Sequence, residues 1–137
     1  MAMKIITSGK RKAAVARAVL IESKGIEVLI NKRDYTNLAM FDKLKIDEPI
    51  RIAQNVLGKD KVNISAHIFV RGGGEKSQID AARLALSRAL IKLTNSKELR
   101  DAFIDYDRSL LVADVRRKEA YKPGDSKARA KRQTSYR

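Results

Sequence analysis

Apolar and polar side chains alternate along residues 62–71, and this pattern limits the possible folds more than any other in the chain. The apolar positions are Val62, Ile64, Ala66, Ile68 and Val70, and the positions between them are Asn63, Ser65, His67, Phe69 and Arg71. Successive side chains of a strand point to opposite faces of a sheet. The period of two therefore predicts a strand with one face in a hydrophobic core and a second, more polar face.

An amphipathic helix is predicted soon after this strand. Within residues 77–93, apolar side chains recur at spacings of three and four, at Ile79, Ala82, Leu86, Leu90 and Leu93. Such spacings place side chains on one face of a helix. Ser77 and Asp80 resemble a capping box, which predicts that the helix starts at Ser77.

Two β-rich runs nearer the N-terminus predict a hairpin. Residues 13–21 (AAVARAVLI) and residues 26–30 (IEVLI) are separated by ESKG, a four-residue connection that ends in glycine. Connections of this kind commonly join antiparallel strands. We therefore expect the two runs to pair with each other.

Two further helices are predicted from their ends. Pro49 can begin a helix, because the first helical position needs no amide proton, and Gly58 can end it. Asn95 with Glu98 predicts the start of a shorter helix that continues to Tyr106. Since strands come first and helices later, the predicted fold class is α+β in two layers.

The net charge indicates the class of partner. The 137 residues carry a formal charge of +14, which is more than solubility requires and repels itself in a compact chain. A polyanion, and nucleic acid first, is the partner that makes this composition favourable. The chain has no cysteine, which excludes thiolate metal sites and agrees with a reducing compartment. No apolar run approaches the roughly 20 residues of a membrane helix, so a soluble, unexported protein is expected.

Half of the net charge lies in residues 116–137. This segment has nine lysines and arginines against Glu119 and Asp125, and it contains no Val, Ile, Leu, Met or Phe. It therefore cannot offset the entropy of ordering through burial. We expect residues 1–115 to form the globular domain and residues 116–137 to form an extended basic tail, disordered when free, that spans at most about 75 Å.

No set of residues suited to catalysis or metal binding is apparent. His67 is the only histidine, and no cysteine can join it at a metal. The glycine triplet does not match a phosphate-binding loop: aligning Lys76 and Ser77 with the Lys and Ser/Thr of that loop places Glu75 and Val70 at its two glycine positions. We therefore predict no catalytic residue, no metal, no cofactor and no enzymatic activity.

Three basic segments carry the predicted contact with nucleic acid: GKRK at residues 9–12, RRK at residues 116–118 and KARAKR at residues 127–132. Each cation that meets a phosphate releases counterions, which gives affinity that is independent of sequence and weakens with salt. Aromatic residues are few, and no pair at strand spacing indicates a platform for stacking bases. Recognition mostly through backbone and shape is expected.

Three stretches of the chain resemble a known family in order and spacing. They are TSGKRKAAVARAVL, FVRGGGEKSQIDAARLALSRAL and RRKEAYKPGDSKARAKRQTSYR, and they resemble the universal ninth protein of the small ribosomal subunit. The most specific motif comprises Gly72, Gly73, Gly74, Ser77, Gln78 and Arg88, with small residues at Ala81, Ala85 and Ser87. Small residues would let the helix lie close to the sheet, and the glycines would permit a turn that few side chains allow. The final Tyr136 and Arg137 are similar to the archaeal or eukaryotic type.

The resemblance implies a fold and a function. The implied fold is a two-layer α+β domain with a left-handed βαβ crossover, like the second domain of the fifth small-subunit protein, followed by the basic tail. The implied function is that of a structural constituent of the head of the small subunit, in the cytoplasm. The implied partners are small-subunit ribosomal RNA, the transfer RNA in the peptidyl site and neighbouring ribosomal proteins, with no membrane.

Carried over residue by residue, the resemblance implies two groups of RNA contacts. The group for ribosomal RNA is Gly9, Lys10, Arg11, Lys12, Arg71, Arg116, Arg117, Lys118, Lys122, Lys127 and Arg129. The group for transfer RNA is Lys131, Arg132, Tyr136 and Arg137, with Arg137 at the tip of the tail.

Two alternatives remain open. A free-standing DNA- or RNA-binding protein would bind generic duplex as well as it binds ribosomal RNA, whereas a phosphate-handling enzyme would bind nucleotide near residues 72–76. The failed loop spacing argues against the enzyme. The ordered match through the tail argues against the generic binder.

Overall fold

The computed structural model of the chain describes residues 4–58, 62–113 and 116. Within them, five strands form one sheet: β1 (Lys4–Arg11), β2 (Ala14–Glu22), β3 (Glu27–Ile30), β4 (Arg33–Asp34) and β5 (Ile64–Arg71). The helices are α1 (Met40–Leu57), α2 (Glu75–Thr94) and α3 (Lys97–Tyr106), and 3₁₀ turns lie before α1 at Tyr35–Asn37 and after α3 at Arg108–Leu110. The predicted α+β class is confirmed.

The strand order in the sheet is β1-β2-β5-β3-β4. β2 is antiparallel to both β1 and β5, and β3 is antiparallel to β4. β3 and β5 are parallel neighbours, so the chain must cross from one end of the sheet to the other between them. The connection includes β4 and α1, and this β3-α1-β5 unit is the crossover of the fold.

The predicted hairpin between residues 13–21 and residues 26–30 is wrong. β5 lies between β2 and β3 and pairs with both of them. The hairpin partner of β2 is β1, a strand that was not predicted, and the chain turns between them at Lys12, whose φ is 54°. β5 matches β2 over eight ladder positions, whereas β3 is only four residues long. The longer ladder, whose inner face is apolar except for the exposed Glu22 at its end, decides which strand lies beside β2.

Helix α1 is longer than predicted, and Pro49 lies inside it rather than at its start. An interior proline lacks the amide proton for the bond to the carbonyl four residues earlier, at a cost of about 3 kcal/mol. Burial of Ile46, Ile50 and Ala53 on the same side of the helix as Pro49 offsets this cost. Gly58 ends α1 with a φ of 97°, as predicted.

Helices α2 and α3 are confirmed, but both predicted caps are wrong. Gly74 occupies the N-cap of α2, so Ser77 lies within the helix. Asn95 ends α2 in the left-handed conformation, with a φ of 51°. Ser96 is the N-cap of α3, and its hydroxyl accepts a hydrogen bond from the amide of Leu99 at 3.2 Å. Asparagine tolerates the left-handed region better than most residues, which explains why Asn95 ends α2 while the next residue, Ser96, caps α3.

The core lies between the sheet and α2, with α1 and α3 packed beside α2. The apolar set predicted to face the core is confirmed, since Val62, Ile64, Ala66, Ile68 and Val70 are each at most 8% exposed. The opposite face of the sheet has no helix packed against it in the described part of the chain. No helix among the described residues is long and apolar enough to cross a membrane.

Tyr35, in the 3₁₀ turn before α1, gives a prediction for alkaline pH. Burial, and then a hydrogen bond to Asp47, raises the pKa of Tyr35 to about 12 from an ordinary value of 10.0. The folded state therefore favours the protonated phenol. The contribution of this group to the free energy of unfolding should be fully present and constant below the ordinary pKa, and it should be lost as the pH rises towards 12.

Urea unfolding of the wild type and of Tyr35→Phe, at about pH 8 and about pH 11, measures this effect. The wild type should lose more stability over this interval than the variant, because phenylalanine has no proton to release. An equal loss in both proteins would contradict the prediction.

Candidate nucleic-acid interface

The predicted basic segment of residues 9–12 and the predicted contact Arg71 meet at one end of the sheet. Lys10 lies near the end of β1, Lys12 in the turn that follows, and Arg71 at the end of β5. Lys10 pairs with Val15 of β2, which pairs on its other side with Arg71. Directly opposite residues of an antiparallel ladder share a face of the sheet. Lys10, Lys12 and Arg71 are all exposed, and we call these three residues the basic end of the sheet.

Gly72 and Gly73 hold the end of β5 against the β1–β2 turn. Their φ angles are 80° and 63°. A Cβ atom at Gly72 would lie 2.6 Å from the carbonyl oxygen of Ala13, and one at Gly73 would lie 3.0 Å from the amide nitrogen of Ala14. The positive φ angles and the lack of room for a Cβ atom therefore both favour glycine at these two positions. The motif acts here as a tight turn that keeps Arg71 close to the β1–β2 turn.

Gly9 is buried beneath α2. A Cβ atom at this position would collide with the carbonyl oxygen of Ala81 and would lie 2.8 Å from the amide nitrogen of Ala85. Nearby, the hydroxyl of Thr7 donates to the carbonyl of Ala85 at 2.7 Å. The predicted close approach of helix and sheet at the small residues is thus present. It gives Gly9 a packing role, and its contact with RNA stays a prediction.

An ion-pair network occupies the cleft behind the basic end. Arg83 of α2 is at its centre, with Nη2 2.5 Å from a carboxylate oxygen of Glu48 and 3.4 Å from one of Asp107. The Arg83 side chain is only 12% exposed. The Arg83 cation lies between two carboxylates from other elements, and these ion pairs link α1, α2 and the end of α3.

Two of the remaining cations of the cleft lie beside Asp80. Its carboxylate lies 3.2 Å from Nζ of Lys45 and 3.9 Å from Nε of Arg11. Arg11 therefore faces into the protein, with its side chain 18% exposed. The cleft has a volume of about 340 Å³, and Lys10 and Arg116 also line it. The first residue of the predicted tail thus lies beside the same cleft as residues 10 and 11.

Two groups in this cleft have shifted pKa values. Burial raises the pKa of Asp107, but hydrogen bonds from Ser109 and the charge of Arg83 outweigh burial and hold it below its ordinary value. The charge of Glu48, together with the hydrogen bond that Tyr106 donates to it at 3.2 Å, raises the pKa of Tyr106. The shifts favour an ionised Asp107 and a protonated Tyr106, which are the states that form these ion pairs and hydrogen bonds near neutral pH.

Arg88 joins β1 to the chain that follows α3. Its Nε donates to the carbonyl of Leu111 at 3.0 Å, and its Nη1 donates to the carbonyl of Ser8 at 2.9 Å. Arg88 therefore fixes the backbone at Leu111, shortly before the predicted tail begins at Arg116. Gln78, another motif residue, donates to the carbonyl of Gly72 at 3.1 Å and supports the glycine turn.

The glycine-rich segment that ends at Lys76 makes contacts that a phosphate-binding loop would not make. Nζ of Lys76 lies 3.0 Å from a carboxylate oxygen of Asp42, whose side chain is 1% exposed. The lysine that such a loop would use therefore neutralises a buried acid. Within residues 4–58, 62–113 and 116, no group of His, Asp and Glu side chains could hold a metal ion.

Most of the predicted tail lies outside the described residues. Arg116 is described and exposed. The predicted RNA contacts that lie outside the described residues are Arg117, Lys118, Lys122, Lys127, Arg129, Lys131, Arg132, Tyr136 and Arg137. Lys4, Arg17 and Arg33 are exposed cations of the sheet that were not predicted, and Arg17 lies directly opposite Phe69 in the β2–β5 ladder. Its position between Val15 and Val19, in step with the alternation of β2, is the signal that could have identified it.

Comparison with known proteins gives one consistent result. The profile of the family described as ribosomal protein S9/S16 matches residues 9–137. The chain is 44% identical to small ribosomal subunit protein uS9 of Methanococcus vannielii, over 98% of this chain and 100% of that protein. It is 44% identical to uS9 of Thermoplasma acidophilum, over 97% of this chain and 100% of that protein. The uS9 of Thermoplasma volcanium is 42% identical, over 97% of this chain and 98% of that protein.

Proposed function

Because this chain belongs to the ribosomal protein S9/S16 family, we propose that it binds ribosomal RNA through its domain and reaches the peptidyl-site transfer RNA through its C-terminal segment. The protein is a structural component of the small ribosomal subunit and not an enzyme. The observation that carries the proposal is the family match through Arg137, which includes the whole basic segment.

The basic end of the sheet supports the ribosomal RNA contact. Lys10, Lys12 and Arg71 are exposed cations from two different parts of the chain. The acids that line the cleft beside Lys10 are paired with Arg83, Lys45 and Arg11, so they do not cancel the charge of the three exposed cations. We propose that Lys10, Lys12 and Arg71 contact phosphates, while Gly9 and Arg11 hold the end of β1 in place.

The finer features of the proposal come from the family resemblance. They are a left-handed β3-α1-β5 crossover, a position in the head of the subunit, and a division into a domain of residues 1–115 and a tail of residues 116–137. We propose that Arg116, Arg117, Lys118, Lys122, Lys127 and Arg129 continue the ribosomal RNA contact. Lys131, Arg132, Tyr136 and Arg137 would then lie nearest the transfer RNA. The proposed partners are ribosomal RNA, transfer RNA and neighbouring ribosomal proteins in the cytoplasmic ribosome.

Two other functions have less support. A free-standing nucleic-acid binder has no need of a tail that matches a ribosomal family to its last residue. A phosphate-handling enzyme would need Lys76 at its ligand, but Lys76 pairs with Asp42. Sedimentation through a high-salt sucrose gradient distinguishes the ribosomal component from the free binder, because only the former remains with the small subunit.

Deletion of residues 128–137 tests the role of the tail. The truncated chain should enter small subunits normally, since the domain is untouched. The subunits should bind peptidyl-site transfer RNA about tenfold more weakly, which is the effect of losing one charge-assisted hydrogen bond. Filter binding of transfer RNA to purified subunits measures this affinity.

A matched control removes the same number of positive charges, four, from exposed positions outside residues 116–137, by changing Lys24, Lys32, Lys92 and Lys97 to glutamine. These subunits should bind transfer RNA like the wild type. Unchanged affinity in the truncated subunits would refute the proposed role of the tail, and failure of the full-length chain to sediment with the subunit would refute the proposed function as a whole.

A further inference from the structure

The face of the sheet that points away from the helices, here called the open face, is cationic over three of its strands. The outward positions of β1, β2 and β5 include Lys4, Lys10, Arg17 and Arg71. Within these described strands, no outward position has an acidic residue. The acids that share the face, Glu27 and Asp34, belong to β3 and β4 on the other side of β5, and Glu27 accepts a hydrogen bond from the hydroxyl of Ser65 at 3.3 Å, near the start of β5. Charge complementarity therefore favours a polyanion on the β1-β2-β5 part of the open face.

An exposed aromatic ring lies among these cations. Phe69 is 47% exposed, and it is directly opposite Arg17 in the β2–β5 ladder. Arg71 is two residues further along β5 and therefore on the same face. Ile6 and Val15, 57% and 43% exposed, extend the apolar surface on the neighbouring strands. Large apolar side chains grouped on one exposed face indicate a surface that is covered in an assembly.

The sheet is open beside Phe69, but a further strand cannot be added there. β3 ends at Ile30, which pairs with Ile68. The side chain of Asn31 then accepts a hydrogen bond from the amide of Val70 at 2.8 Å and donates one to its carbonyl at 3.2 Å. Because the backbone of Val70 already has both partners, a partner that pairs by strand addition has nothing to bind at this point. Recognition on the open face must therefore use side chains.

We propose that an unpaired base of single-stranded RNA stacks on Phe69 while Arg17, Arg71 and Lys10 bind the adjoining phosphates. An aromatic ring on a sheet surrounded by cations is the arrangement that binds single-stranded nucleic acid, since every base has a face that can stack. An apolar protein surface on the same face would leave Arg17 and Arg71 buried without partners, which is costly. The inference rests on the proposed function and deepens it, because it names unpaired RNA as the ligand of a specific surface.

The test uses the full-length chain with two probes: a short oligoadenylate and an RNA duplex of the same length. Phe69→Ala should weaken binding of the oligoadenylate by about 5-fold to 150-fold, because the base loses its stacking partner. Binding of the duplex should not change, since paired bases cannot reach the ring. Phe69→Tyr keeps the ring and should retain the affinity for oligoadenylate.

Two controls separate stacking from other effects. Phe41, on α1, is 69% exposed, and Phe41→Ala should leave both affinities unchanged. The slope of the logarithm of the binding constant against the logarithm of salt should stay the same in Phe69→Ala. In Arg17→Gln that slope should become shallower by about 0.7, the value for one phosphate contact on a single strand.

Two results would overturn the inference: an unchanged oligoadenylate affinity of Phe69→Ala, and an equal loss for oligoadenylate and duplex. If the affinities are unchanged and the small subunits that contain Phe69→Ala lack a neighbouring protein, the open face is a protein contact. Both results can occur in a chain that still sediments with the small subunit, so the inference can fail while the proposed function stands.

Discussion

Replacing Gly9 by valine should lower the free energy of unfolding by about 3 kcal/mol, the upper end of the usual cost of overpacking. The obstacle to the new side chain is the backbone of α2 at Ala81 and Ala85. A backbone within a helix cannot turn aside as the end of a flexible side chain can. The strand preference of valine, at most about 1 kcal/mol, is too small to compensate.

Gly25→Val is the matched control for this prediction. Gly25 lies in the exposed loop between β2 and β3, and a Cβ atom there would have no neighbour within 4 Å. This variant should stay within about 0.5 kcal/mol of the wild type. Urea unfolding followed by circular dichroism measures both. Equal stabilities of the two variants would mean that α2 does not approach β1 as closely as described.

The Gly9 variant should also weaken RNA binding. Relief of the collision requires β1 to move away from α2, and Lys10 is the next residue of that strand. The spacing of Lys10 and Arg71 across β2 would then change. The loss should appear for duplex and single-stranded RNA alike, unlike the loss in Phe69→Ala.

Arg83→Met should lower the free energy of unfolding by about 2 kcal/mol near neutral pH. Removing one partner of a fully buried pair costs about 3 to 5 kcal/mol. Glu48 and Asp107, however, are 32% and 43% exposed, and water reduces the cost of leaving them unpaired. Methionine keeps most of the length of the side chain, so the loss reports chiefly on the charge.

The pH dependence of this loss identifies its cause. In the wild type the pKa of Asp107 is below its ordinary value, and Arg83 contributes to that shift. A carboxyl group of this kind stabilises the folded state above its unfolded pKa of about 3.9, and the contribution disappears as the pH falls through its folded pKa. The stability difference between the wild type and Arg83→Met should therefore shrink below about pH 4.

Lys92→Met is the control for Arg83→Met, because Lys92 is an exposed cation of the same helix. It should change stability by less than about 0.5 kcal/mol at any pH in this range. If the deficit of Arg83→Met were the same at acid and neutral pH, it would arise from packing and not from the ion pairs.

The elements that were predicted correctly are those whose signal is local. The alternation of residues 62–71 and the three-four spacing of residues 77–93 each indicate a buried face without reference to the rest of the chain. Gly58 ends α1 because its positive φ suits glycine, which is again a property of one residue and its neighbours. At Ser77 and Asn95 the predicted helix starts differ from the observed N-caps, which are Gly74 and Ser96. Several polar residues near each helix start compete for the N-cap position.

The partners of the strands could not be read from the order of the chain. Residues 13–21 and 26–30 are adjacent in sequence, yet β5 separates them in the sheet. Likewise, the start that Pro49 offers for a helix was overridden by apolar contacts that α1 makes with α2 and α3. The chemistry of a residue and its neighbours limits the local structures that the residue can adopt. Burial against elements distant in the sequence decides which of these structures forms.

The same division applies to the candidate site. Sequence by itself determined that the protein is strongly basic, that residues 9–12 and the glycine motif matter, and which family it resembles, because composition and motif spacing do not depend on the fold. Only the tertiary structure decided that Arg11 and Arg83 face acids while Lys10 and Arg71 face solvent. It also brought Arg17 opposite Phe69. The reason is physical: a cation pairs with whichever acid the packing brings within reach, and that distance is set by elements far apart in the chain.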